Sequence, residues 1–187
     1  AGRAELVAAT PAGRSAALTA TVVHGILANL VLAVLAALTF VGLGFAPTGS
    51  ALLGASTGLT GVAFLAVAFV AAEIARTARA ANSIGVWAVL LSYLACGVGN
   101  ALGTPSADLQ RMQSAPLAWA SPFGWAENVR AFDADDARPL LLSAALAIVA
   151  VGVAVVLHRS RDLGASLLPA PRGPATAGRL LSGPIGL

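Results

Sequence analysis

The chain has no lysine at all, one cysteine, two histidines and only eight acidic residues among 187. Each scarcity excludes something. Without Lys there is no Walker-type phosphate loop, whose lysine reaches the terminal phosphates. With Cys96 alone, neither an intrachain disulfide nor a thiolate cluster can form, and Cys96 reads as packing within an apolar helix. His24 and His158 lie far apart in sequence and the carboxylates are scattered, which gives no metal-ligand spacing. Charged residues make up 10% of the chain against about 25% in soluble domains. Such a chain lacks the surface to stay in solution. The formal net charge of +3 is too small and too dispersed for a nucleic-acid footprint.

The longest gap is the most informative. Between Arg14 and Glu73 there is no Asp, Glu, Lys or Arg, and only a turn-forming A-P-T-G-S at residues 46–50 interrupts the apolar run. A span needs about 20 mostly apolar residues to cross a hydrocarbon core of about 30 Å, so the gap holds two spans. Apolar runs along the whole chain predict four, at about 17–45, 51–72, 84–102 and 139–158. Pro139 suits a first helical turn, where its missing N–H breaks no bond. The expected fold is an all-α integral membrane bundle of about four transmembrane helices with short interfacial helices outside it.

Arginine placement predicts the orientation, because Lys- and Arg-rich loops stay cytoplasmic. With the amino terminus inside, the inner segments carry Arg3, Arg14, Arg76, Arg79, Arg159, Arg161, Arg172 and Arg179 against Glu5, Glu73 and Asp162. The outer loops carry Arg111, Arg130 and Arg138 against Asp108, Glu127, Asp133, Asp135 and Asp136. Both ends are therefore expected in the cytoplasm of a multi-pass plasma-membrane protein: a cytoplasmic segment at 1–15, the transmembrane domain at 16–158 and a Pro/Gly-rich linker at 159–187. Residues 46–50 read as a tight outer hairpin between antiparallel neighbours. The outer loop 103–138 is longer. Within it residues 108–113 read as a polar helical turn or two, and S-P-F-G-W at 121–125 opens a segment running to Phe132. Trp125, Val129 and Phe132 fall at i, i+4 and i+7, on one helical face, and with Trp119 they favour the membrane interface. Short helices on, or dipping into, the outer leaflet follow. The chain starts without Met, shows no cleavable signal peptide and reads as a piece of a longer polypeptide.

Gly54-Ala55-Ser56-Thr57-Gly58 matches the G-x-S-x-G pattern of hydrolase elbows, which need a strand-to-helix turn with acid and His partners. Inside a bilayer helix it reads better as a small-xxx-small surface for close helix approach. Gly61 extends that surface by a turn, and Gly99 with Gly103 repeats the spacing on the third span. His24, Asn29, Tyr93 and Asn100 are polar groups in or near the hydrocarbon; they bond across helices, or they line a pathway or hinge. Asp133, Asp135 and Asp136 lack the Gly and terminal Glu of a calcium loop and read as a solvated turn. L-S-G-P at 181–184 faintly echoes an ATPase signature loop without its Gly-Gln continuation. No catalytic, cofactor or metal residues are expected, and an intramembrane enzyme is disfavoured.

Several segments together resemble bacterial ABC exporter permeases, the group that exports polyketide antibiotics most closely. G-R-A-E-L-V-A-A-T-P-A-G-R at 2–14 resembles the cytoplasmic segment before their third span. S-P-F-G-W with Asn128, Val129 and Arg130 resembles the outer segment before the last span of each half. Residues 161–169 resemble the stretch after it, and 183–187 the lead-in to the second half. The resemblance implies spans three to six of the first six-span half of a permease that exports hydrophobic compounds and pairs with a separate ATPase subunit. On that implication Glu5, Arg14, Glu73 and Arg76 face the ATPase, and Trp119, Phe123, Trp125 and Phe132 form an outer gate. The different-class alternative is a membrane scaffold or assembly protein that uses the same glycine faces without transporting anything.

Overall fold

The computed structural model describes residues 16–107 and 112–160. Its elements are α1 (Ala16–Gly42), α2 (Pro47–Ile74), α3 (Ala78–Ala101), a two-residue ribbon of β1 (Thr104–Pro105) and β2 (Met112–Gln113), a 3-10 helix (Pro116–Ala120), α4 (Pro122–Asn128) and α5 (Leu140–Ser160). Four of them, α1, α2, α3 and α5, are long and apolar enough to cross a membrane. The fold is an all-α membrane bundle, and the protein is a multi-pass membrane protein.

Local chemistry sets the ends of the helices. α1 stops in a Schellman motif: Gly44 has φ +89°, its N–H donates to the Val41 carbonyl at 2.9 Å, and the Phe45 N–H reaches back to Phe40 at 3.1 Å. The accompanying apolar contact, common in this cap, is Phe40 on Phe45, with ring centroids 5.3 Å apart. Pro47 then opens α2, so the turn spans 43–46 and the second helix begins four residues before the sequence expectation of 51. At its far end the Ala75 N–H still donates to Ala71, and the chain turns over three residues into α3. Thr77 caps α3 by accepting from the Ala80 N–H at 3.2 Å. The helix therefore starts at Ala78, six residues before the expected 84, because Arg79, Asn82 and Ser83 lower the hydropathy of a turn that is nevertheless helical.

α2 is the centre of the bundle. It packs most extensively on α1 and α5, and less on α3. Its buried positions are nearly all small: Gly49, Ser50, Gly54, Ser56, Gly58, Thr60, Ala63, Ala66 and Ala71. Lipid tails are as apolar as leucine, so helices associate in a bilayer through close van der Waals contact, which small residues allow. A cluster of Ala66, Ala147 and Ala150 with Val62, Val70 and Val151 joins α2 to α5. α1 and α3 turn their large side chains, such as Leu35, Leu38, Trp87 and Leu91, outward.

Two expectations for the long loop change. The chain at 112–113 is a strand, with Thr104 paired to Gln113 and Pro105 to Met112, where a helical turn was expected; the rest of that segment, 108–111, lies outside the described residues. The segment opened by S-P-F-G-W ends as a helix at Asn128 and does not run to Phe132. Arg130, Phe132 and Asp135 take positive φ values of 48°, 72° and 50°, and the Arg130 carbonyl accepts from the N–H groups of Asp133, Ala134 and Asp135. A left-handed residue breaks the helical face, so Phe132 parts from Trp125 and Val129.

Candidate functional site

One end of the bundle, here the capped end, carries the 43–46 turn and the described parts of the segment between α3 and α5, 102–107 and 112–139. The segment enters the bundle. Phe123 packs at a tilt against Phe64 with ring centroids 5.0 Å apart, and Phe64 lies seventeen residues into α2, past its midpoint. The same ring meets Tyr93 of α3 edge-on at 5.9 Å. Irregular backbone at membrane depth is tolerated only when protein buries it and satisfies its polar groups. Here Ala118 and Ser121 are fully buried. Ser121 accepts from the Gly124 N–H at 3.1 Å, which caps α4, while Pro122 fills its first position without needing a donor partner.

Glycines and one asparagine fasten this segment. A Cβ at Gly99 would stand 2.8 Å from the Ala118 Cα and Cβ, and one at Gly124 would run into the Ala118 carbonyl. The Ala115 N–H donates to the Gly99 carbonyl at 2.9 Å. Asn100 Nδ2 donates to Glu127 Oε2 at 2.5 Å, and Asn100 Oδ1 accepts from Ser114 Oγ at 2.7 Å. The Cys96 thiol donates to the same Glu127 oxygen at 3.1 Å. Cys96 therefore has a polar partner in addition to its packing. Trp125 Nε1 donates to the Trp119 carbonyl at 2.6 Å. Phe132 lies over the α1–α2 turn, 5.8 Å from Phe40 and 5.2 Å from Phe45, against Gly49.

Below Phe123 a groove of about 750 Å³ runs between α2 and α3, lined mainly by Ala68, Ala72, Gly85, Val89, Tyr93 and Phe123. Its volume lies within the ~300–1,000 Å³ range of small-molecule sites. It is open along its side and almost wholly apolar. Asn82 and Val86 also line an adjoining hollow of about 520 Å³, together with Arg79, Ser83 and Trp87. At the same, opposite end of the bundle, Glu73 is 7% exposed, and its Oε1 lies 3.1 Å from His158 Nδ1 of α5. The pair links the last turn of α2 to the last turn of α5.

The residues singled out from the sequence fall into separate places. Gly54, Gly58 and Gly61 face α1: a Cβ at Gly58 would stand 2.8 Å from the Ala33 Cβ, and one at Gly61 would meet the Asn29 amide. Gly99 and Gly103 face the long loop instead of another span, with Gly103 beyond the end of α3 and 2.6 Å, by its would-be Cβ, from the Gln113 carbonyl. Asn29 donates to its own helix at the Gly25 carbonyl, 2.8 Å away. His24 is exposed on α1. Tyr93 lines the groove and is 65% exposed. Trp119 and Trp125 join each other, Phe123 closes the groove, and Phe132 sits apart. Arg76 lies in the turn between α2 and α3; Glu5 and Arg14 fall outside the described residues.

Sequence reasoning missed the Glu73–His158 pair and the Cys96–Glu127–Asn100 cluster. The first had a signal: antiparallel threading brings the ends of α2 and α5 to one side. The second had none, since nothing in sequence sets Glu127 beside α3. Among the described residues no three His, Cys, Asp or Glu side chains come together to hold a metal. At the capped end the Arg138 guanidinium, 2.9 Å from the Asp136 carboxylate, holds that carboxyl below its usual range, and the carboxylate in turn raises the Arg138 value.

No protein-family model matches the chain. The chain is 34% identical over 186 residues to a multidrug efflux system permease protein of Mycobacterium tuberculosis. The similarity covers 100% of this chain but 32% of that protein, so the chain spans about a third of the length of the curated relative it matches. The matched length contains all four spans, the groove and the segment that enters it.

Proposed function

We propose that this chain is part of the permease of an ATP-driven exporter that moves hydrophobic compounds, antibiotics among them, out of the cell, with hydrolysis on a separate ATPase subunit. The observation that carries this reading is the end-to-end similarity to a protein named as a multidrug efflux permease. The groove supports it. Its wall is apolar and shape-tolerant, as a site for varied hydrophobic solutes must be, and Phe123 bridges its two helices where a small displacement would open or close it. The bundle supports it too, because helices that meet through glycine and alanine can slide without leaving large voids. With no lysine among these 187 residues, this stretch carries no phosphate loop of its own, which fits hydrolysis on a separate subunit.

On this reading the capped end faces outward and both termini are cytoplasmic. Trp119, Phe123 and Trp125 close the outer side, Phe132 locks the loop to the α1–α2 turn, and Glu5, Arg14, Glu73 and Arg76 lie towards the ATPase. Of these, Glu73 acts through His158 and so through the position of α5. The test is reconstitution of the whole permease with its ATPase in liposomes. Substrate-stimulated ATP hydrolysis and efflux are expected, lost in Gly58→Leu, while Phe123→Ala leaves hydrolysis running and uncouples it from efflux. Unchanged drug efflux in cells from which the whole gene is deleted would overturn the proposal.

A further inference from the structure

At the end of α3 away from Phe123, three polar side chains share one helical face: Arg79, Asn82 and Ser83, at i, i+3 and i+4. Val86 and Trp87 continue that face at i+7 and i+8, and all five line the smaller hollow. Among the described residues none offers the side chain of Arg79, Asn82 or Ser83 a hydrogen bond or an ion pair. Charge at this end is unbalanced as well, with Arg76, Arg79 and Arg159 against Glu73 alone among the described residues. The hollow shares Asn82 and Val86 with the apolar groove. A cluster of hydrogen-bond donors with one cation thus opens directly into a greasy channel, which is the complement of an amphiphile with an anionic head.

The dimensions point to the molecule. α3 has 24 residues, about 36 Å at 1.5 Å each, which exceeds a hydrocarbon core of about 30 Å. Arg79, its second residue, therefore lies at headgroup level. From Ala81 to Tyr93 the groove wall runs twelve residues, about 18 Å. That is close to the ~15 Å depth of one leaflet's hydrocarbon, and Phe123 closes it at mid-bilayer. The groove is open sideways, towards lipid. We infer that the α2–α3 groove holds one anionic phospholipid of the leaflet at the Arg79 end, its phosphate on Arg79, Asn82 and Ser83 and an acyl chain along Gly85 and Val89 up to Phe123.

The inference concerns occupancy of the groove and stands apart from export: the assay below involves no transport, and a failure of efflux would leave its result unchanged. The protein is reconstituted in nanodiscs of dioleoyl phosphatidylcholine with increasing dioleoyl phosphatidylglycerol, released into mild detergent, and read by native mass spectrometry for retained lipid. One phosphatidylglycerol is expected in preference to phosphatidylcholine. Arg79→Gln should weaken retention about fivefold, the effect of one arginine at a lipid surface. Gly85→Leu should cause a comparable loss by filling the groove; a Cβ there meets nothing within 4 Å, so the backbone has room for the branch, and circular dichroism checks that the helix is kept. Equal retention of the two lipids, or retention unaffected by Arg79→Gln, would overturn the headgroup assignment. Retention unaffected by Gly85→Leu would remove the groove from it. Displacement of the lipid by millimolar inorganic phosphate would show a soluble-anion site in its place.

Discussion

Substituting Gly54 by alanine tests whether close backbone approach between α1 and α2 holds the bundle together. A Cβ at Gly54 would run into the backbone carbonyl oxygen of Ala33 and stand 3.0 Å from the Ala37 Cβ, where ordinary contact begins at 3.4 Å. Backbone cannot swing aside as a side chain can. The two helices must separate by some tenths of an ångström, and a gap of 0.5–1 Å already forfeits roughly a quarter to a half of each van der Waals well. Overpacking of this kind costs about 1–3 kcal/mol, against at most about 1 kcal/mol gained because alanine favours helix over glycine. With that gain taken in full, the expected net loss is up to about 2 kcal/mol. Gly61→Ala should lose less, since its nearest neighbour is the end of the Asn29 side chain, which can rotate at the expense of its bond to Gly25. Gly152→Ala, with nothing within 4 Å, should be neutral or slightly stabilising. Reversible unfolding in mixed micelles, titrated with dodecyl sulfate and followed by circular dichroism, ranks the three. A Gly54→Ala protein as stable as Gly152→Ala would refute the reasoning.

Three other outcomes follow from the same geometry. Asn100→Leu removes two of the bonds that tie the re-entrant segment to α3, those to Glu127 and Ser114, at a cost of about 1–3 kcal/mol for the polar groups left behind; amide exchange at residues 114–128 should quicken while α2 keeps its protection. A double-mutant cycle on Glu73→Gln and His158→Gln should give a coupling of about 0.5–3 kcal/mol, as expected for side chains in contact, whereas additive effects would mean that the pair does not lock α2 to α5. The Asp136 carboxyl, followed by carbon NMR, should titrate below the unperturbed 3.8, and Arg138→Gln should raise it only part of the way back, because the backbone N–H at 138 still donates to Oδ1. Because the folded value is depressed, this contact supports the 133–139 turn above that pH, and its contribution disappears as the pH falls through the lower folded value.

The sequence carried the membrane assignment, the number of spans and the class of the fold, because the length of charge-free runs against the thickness of a bilayer is a one-dimensional constraint. It also put Gly54, Gly58 and Gly61 on one helix face, since residues four and three apart share a face whatever surrounds them. It misplaced helix starts where polar turns remain helical at the bilayer edge, as at Arg79 and Asn82. It ran α4 on to Phe132 because periodicity does not register left-handed residues such as Arg130.

What tertiary structure alone decided is which surfaces meet. Gly99 and Gly103 carry the same spacing as Gly54 and Gly58, yet they receive a folded-in loop and not a helix. Glu127, thirty-one residues from Cys96, shares an oxygen with it, and Glu73 meets His158 across eighty-five. Spacing along a chain fixes which residues share a face; only the packing of one face on another fixes its partner, and the groove under Phe123 exists because α3 leans on the loop at one end while standing off α2 below it.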